Sequence, residues 1–171
     1  MAKGKSKGRK GGGGVAGAAQ PIEFTGKESK QELIQKLTSS GAYDAGGSWE
    51  DTKVSNKLYQ YEKMKKPELQ QAVKRVNVDL ENGGRGNANK FNREDRSNVT
   101  RNKVDAEIQN TAIFKRATEK FKAERDGGYN YVKKIQDEIN KLVDTKYYGS
   151  ISKSERASYK KDVLAIIAKY D

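Results

Sequence analysis

The chain contains no cysteine and no histidine. Without thiols there is no disulfide framework. Without thiolate or imidazole there is no ligand set for a zinc finger or a zinc hydrolase. The same absences remove Ser–His, Cys–His and histidine-based acid–base mechanisms. Long apolar runs are missing too: stretches such as "VLAII" fall far short of the roughly 20 residues that cross a bilayer. Apolar side chains make up 33% of the 171 residues, against about 45–50% in globular chains when glycine is counted with them. The 17 glycines narrow that gap but add no side chain to bury. The length fits about one domain, with a thin core of packed apolar stripes rather than a large buried sheet.

What the chain has is positive charge: 35 Lys and Arg against 23 Asp and Glu, a net +12. Such a surplus favours polyanions, and here it is localised. Residues 1–20 carry Lys3, Lys5, Lys7, Arg9 and Lys10 with no acid, a net +5. Residues 83–103 carry Arg85, Lys90, Arg93, Arg96, Arg101 and Lys103 against Glu94 and Asp95, a net +4. The first stretch, "MAKGKSKGRKGGGGVAGAAQ", reads as a disordered basic tail, because nothing in it offsets the entropy of ordering. It lacks the apolar segment of a signal peptide, so the expected location is the cytoplasm or a virion. It also lacks an apolar face to insert in a membrane.

Residues 21–171 read as a single all-α domain, a small bundle of five to six helices. "SKQELIQKLTSSG" opens with Ser29 and Glu32 in capping-box register and closes at Gly41. A helix is expected from about Trp49 to Lys66, and Pro67 then restarts the chain. The next helix carries Leu69, Val73, Val76 and Leu80 and stops where Gly83 takes a left-handed cap. A long helix is expected from about Asp95 to Arg125, ended by Asp126-Gly127-Gly128. Val132, Ile135, Ile139 and Leu142 mark another, ending at Gly149. The last begins at Ser152 and Glu155 and carries Tyr159, Val163, Ile166, Ile167 and Tyr170. No segment alternates as a strand does.

Between two of these helices lies "GGRGNANKFNREDRSNVTRNK", with a Gly/Asn/Arg-rich loop at 83–95. As a dinucleotide fingerprint it fails at Asn89, where the third glycine belongs, and no Walker Lys-Ser/Thr follows. An EF-hand starting at Asp79 fails at Gly83 and at Lys90, where a bidentate glutamate is required. A basic contact surface is left. Arginine and asparagine bond phosphates and base edges, and Phe91 either stacks on an unpaired base or folds onto the core.

Tyr129, Tyr131 and Tyr148-Gly149 are similar to the two tyrosine motifs of the GIY-YIG nucleases. That family joins its motifs by a β-hairpin, whereas "VKKIQDEINKLVDT" is helical, so the tyrosines read as helix-end packing. Adjacent acids such as Asp137-Glu138 point to different sides of a helix, which gives no two-metal site. No enzyme activity, metal or cofactor is expected. The Lys/Gly tail and the Lys-rich polar helices resemble the small basic accessory or virion proteins of bacteriophages, which implies a phage setting and assigns no residue a role.

The expected function is non-enzymatic nucleic-acid binding, to DNA or RNA, through the tail cations and Arg85, Lys90, Phe91, Arg93, Arg96, Arg101 and Lys103. One alternative is a capsid-interior component, or an inhibitor of a host enzyme that uses Tyr129, Tyr131, Tyr147 and Tyr148 as protein contacts. Another is a protein primer at a genome end.

Overall fold

The computed structural model describes residues 17–42, 60–89, 95–123 and 125–171, with the backbone alone for 125–131. Six α-helices and one 3-10 turn lie wholly among them, with the helical residues 60–63 and no strand: α1 Lys30–Ser40, α2 Lys66–Glu81, α3 Val99–Gln109, α4 Ala112–Ala123, α5 Arg125–Lys146, the turn Lys153–Glu155 and α6 Arg156–Ala168. The chain is all-α, as its periodicities require. No helix of the described residues is long and apolar enough to cross a membrane.

Contacts divide the chain into two units. One comprises the described residues up to Asn98 together with Tyr148–Ser150; the other comprises Val99–Tyr147 and Ile151–Asp171. In the first, α1 starts with a reciprocal cap: the Glu32 N–H donates to Ser29 Oγ at 3.2 Å, and the Ser29 N–H donates to Glu32 Oε1 at 2.9 Å. It ends at Gly41, whose φ of +80° suits glycine. Helix α2 has Pro67 in its first turn, where a missing N–H costs nothing. Leu33 and Leu37 of α1 meet Leu69, Val73 and Val76 of α2, with Tyr61 and Ile22 completing the core.

Residues 17–25 lie as a strap along this core. Ile22 donates its N–H to Asn77 Oδ1 (2.7 Å) and accepts from Asn77 Nδ2 (2.8 Å). The Gln20 N–H donates to the Ser40 carbonyl at 2.9 Å. The tail boundary expected at residue 20 is therefore corrected, because 17–20 already belong to the packed unit and Ala19 is buried. The rest of the expected tail, and most of the helix expected from Trp49, lie outside the described residues.

In the second unit, Val104 and Ile108 of α3, Ala117 of α4, Val143 of α5, and Tyr159, Val163 and Ile167 of α6 form one core. The long helix expected from Asp95 is two helices. Thr111 separates them: its hydroxyl donates to the Ile108 carbonyl at 2.6 Å and accepts from the Phe114 N–H at 3.3 Å, ending α3 and capping α4. Gly127 and Gly128, expected to end a helix, lie in the first turn of α5 instead. The N–H groups of a first turn have no intrahelical partner in any case.

Candidate nucleic-acid interface

The Gly/Asn/Arg-rich loop is organised by one side chain that the pattern of cations did not reveal. Asp79, in the last turn of α2, is fully buried. Its Oδ2 accepts from the N–H groups of Gly86 (2.8 Å) and Asn87 (2.9 Å), and its Oδ1 accepts from the N–H of Arg96 (2.6 Å). The Asp79 carbonyl also accepts from the Gly84 N–H at 2.8 Å. Converging N–H groups of this kind are how loops hold phosphate, but here the bound anion is the protein's own carboxylate. The N–H groups of Gly86, Asn87 and Arg96 are thus already taken by the protein itself.

The glycines and asparagines of the loop follow from the same construction. A Cβ on Gly84 would overlap the Asp79 carboxylate, and one on Gly86, at φ +89°, would lie 2.5 Å from the Ala19 Cβ. The Asn89 N–H donates to Asn87 Oδ1 at 3.1 Å. Asn82 Nδ2 donates to the Arg96 carbonyl at 3.2 Å. Arg75 is buried, and its Nη1 donates to the Ala88 carbonyl at 2.6 Å. The signal that could have found this arrangement was a helix-terminal aspartate followed by Gly-Gly within reach of its carboxylate.

The loop turns Arg85 and Arg96 outward, and both are exposed. The root of the basic tail sits beside the first of them. The Ala19 N–H donates to the Arg85 carbonyl at 2.9 Å, and Arg85 Nη2 lies 3.2 Å from where a Cβ on Gly17 would stand. Residues 17–19, which follow the basic tail in sequence, are thus docked beside Arg85. Lys3, Lys5, Lys7, Arg9 and Lys10, and likewise Lys90, Phe91 and Arg93, lie outside the described residues.

Arg101 and Lys103 belong to the other unit. Lys103 is exposed. Arg101 is folded onto its own unit: Nε donates to the Tyr159 hydroxyl (3.2 Å), Nη2 donates to Asn140 Oδ1 (3.1 Å), and Asp105 lies 3.7 Å away. Tyr159 Oη in turn donates to Asp105 Oδ1 at 2.8 Å. Burial holds the Tyr159 phenol well above its usual range; the nearby Arg101 charge opposes this shift and Asp105 reinforces it. Of the tyrosines suggested as protein contacts, Tyr147 and Tyr148 are engaged internally, and the side chains of Tyr129 and Tyr131 lie outside the described residues. Tyr147 is buried, donating to Asp162 at 2.7 Å. Tyr148 packs edge-on against Phe24, with ring centroids 4.9 Å apart.

Among the described residues, no group of three or more acidic side chains is placed to hold a metal ion. No protein-family model, no curated protein and no solved structure matches this chain.

Proposed function

We propose that this is a non-enzymatic nucleic-acid-binding protein whose basic tail and Asp79-built loop act together on a phosphate backbone. The observation that carries the reading is the adjacency of Gly17 and the exposed Arg85, because the five tail cations precede Gly17 in the sequence. Asp79 already takes the N–H groups of Gly86, Asn87 and Arg96, and the proposed recognition is by cationic side chains, which hold phosphates without reading sequence. The proposed setting is a bacteriophage infection or virion, on the resemblance of the tail and the Lys-rich helices alone.

The test is fluorescence anisotropy with short DNA and RNA duplexes and single strands across a salt series, comparing the full chain with one that starts at Gly17. For the full chain, log affinity should fall linearly with log salt. Removing residues 1–16 should lower the magnitude of that slope by up to about 0.9 for each phosphate that the tail neutralises. Equal affinity and equal slope for the two chains would overturn the proposal.

A further inference from the structure

Helices α3, α4, α5 and α6 line a cavity of about 340 Å³ that is partly open to solvent, toward the lower end of the roughly 300–1,000 Å³ usual for small-ligand sites. Ile108, Phe114, Phe121, Ile135, Ile139 and Ile167 make its walls apolar. Val132, 48% exposed, borders the cavity where its wall meets solvent.

One edge of the cavity is polar, and its parts are held in place. Arg101 and Asp105 line it. Both are fixed by the fully buried Tyr159, which accepts from Arg101 Nε and donates to Asp105 Oδ1, while Asn140 takes Arg101 Nη2. The 3.7 Å ion pair leaves this edge with a donor and an acceptor but no net charge. An ionised head group entering an apolar cavity loses hydration that a neutral edge does not offset. A hydroxyl can accept from a guanidinium and donate to a carboxylate at once.

We propose that this cavity is a binding site for a small uncharged amphiphile, its apolar body lying along the isoleucines and its hydroxyl bridging Arg101 and Asp105. The site lies within one unit and does not depend on the nucleic-acid reading.

The probes are octan-1-ol, octanoate and octyltrimethylammonium, added to the full chain while isoleucine and valine methyl NMR signals are followed. Octan-1-ol should give saturable shifts at Ile108, Ile135, Ile139, Val163 and Ile167. The two charged probes should bind at least about tenfold more weakly. In Ala117→Leu, which fills the cavity from α4, those shifts should disappear. Four results would overturn the proposal: no saturable shift up to the solubility of octan-1-ol, shifts spread over both units, charged probes binding as tightly as the alcohol, or saturation of the same methyls by adenosine or cytidine but not by the alcohol. The wild-type titration decides the matter even if Ala117→Leu does not fold.

Discussion

The N–H of Arg96 donates to Asp79 Oδ1 at 2.6 Å, joining residues seventeen positions apart. The bond sets where an exposed arginine leaves the backbone, and it does so with a carboxylate that no solvent reaches. Asp79→Ala would leave the N–H groups of Gly86, Asn87 and Arg96 without their acceptor. Each buried group left without a partner costs about 1–3 kcal/mol, less where water can enter. Asp79→Ala should therefore cost roughly 3 kcal/mol or more by urea unfolding, and Asp79→Asn, which keeps one acceptor oxygen, should cost less. Amide hydrogen exchange at Gly86, Asn87 and Arg96 should speed up in both variants. Unchanged exchange at these three sites would show that Asp79 does not hold the loop.

The loop glycines should rank by geometry. Gly83 has φ +86° with open space around the position of a Cβ, so Gly83→Ala should cost only the left-handed penalty of about 1–2 kcal/mol. Gly84→Ala must displace the Asp79 carboxylate, and Gly86→Ala combines φ +89° with a 2.5 Å approach to Ala19. Both should lower the unfolding midpoint more than Gly83→Ala does. A larger effect in Gly83→Ala than in the other two would contradict the packing described.

The acid limb of stability should involve Glu28. Burial opposes its charge, yet the Thr25 N–H (2.8 Å) and the Gly26 N–H (2.9 Å) reach its carboxylate, and Lys36 stands at 3.2 Å. The Thr25 N–H, its own backbone N–H, Lys36 and the Thr25 hydroxyl outweigh that burial and hold its pKa at about 2, against an ordinary 4.5. A folded-state pKa below the unfolded one gives stability that is complete above the unfolded value and lost as pH falls through the folded one. That contribution should therefore disappear between about pH 4.5 and pH 2. Glu28→Gln should be less stable than wild type at pH 7, and the difference should shrink toward pH 2. A difference independent of pH would remove Glu28 from the acid response.

These residues also show what the sequence made legible. The caps of Ser29 with Glu32 and of Ser152 with Glu155, the turn at Gly41 and the start at Pro67 are contacts within four residues. Spacing alone therefore encodes them. The break at Thr111 falls inside an apolar pattern that runs on unchanged, and only the hydroxyl's bonds to Ile108 and Phe114 reveal it. Gly127 and Gly128 misled because helix propensity, about 1 kcal/mol per glycine, is weaker than the packing of the rest of α5. The docking of Ala19 on Arg85 and the fixing of Arg101 by Tyr159 link residues 66 and 58 positions apart. No local pattern carries such contacts. The cations were therefore legible as a set, but not the division of that set between two units.

That division gives the sharpest test of the interface. If Arg85 and Arg96 each neutralise a phosphate, Arg85→Gln and Arg96→Gln should each reduce the magnitude of the salt slope by about 1, and by similar amounts on unrelated sequences. Arg101 is only 20% exposed and bonded to Tyr159 and Asn140. Arg101→Gln should leave the slope unchanged and instead lower stability by about 1–3 kcal/mol, the cost of stranding those acceptors. Measured together, the three variants separate a phosphate contact from a structural bond. A slope reduced in Arg101→Gln as fully as in Arg85→Gln would move the interface onto α3, and intact slopes in Arg85→Gln and Arg96→Gln would remove it from the loop.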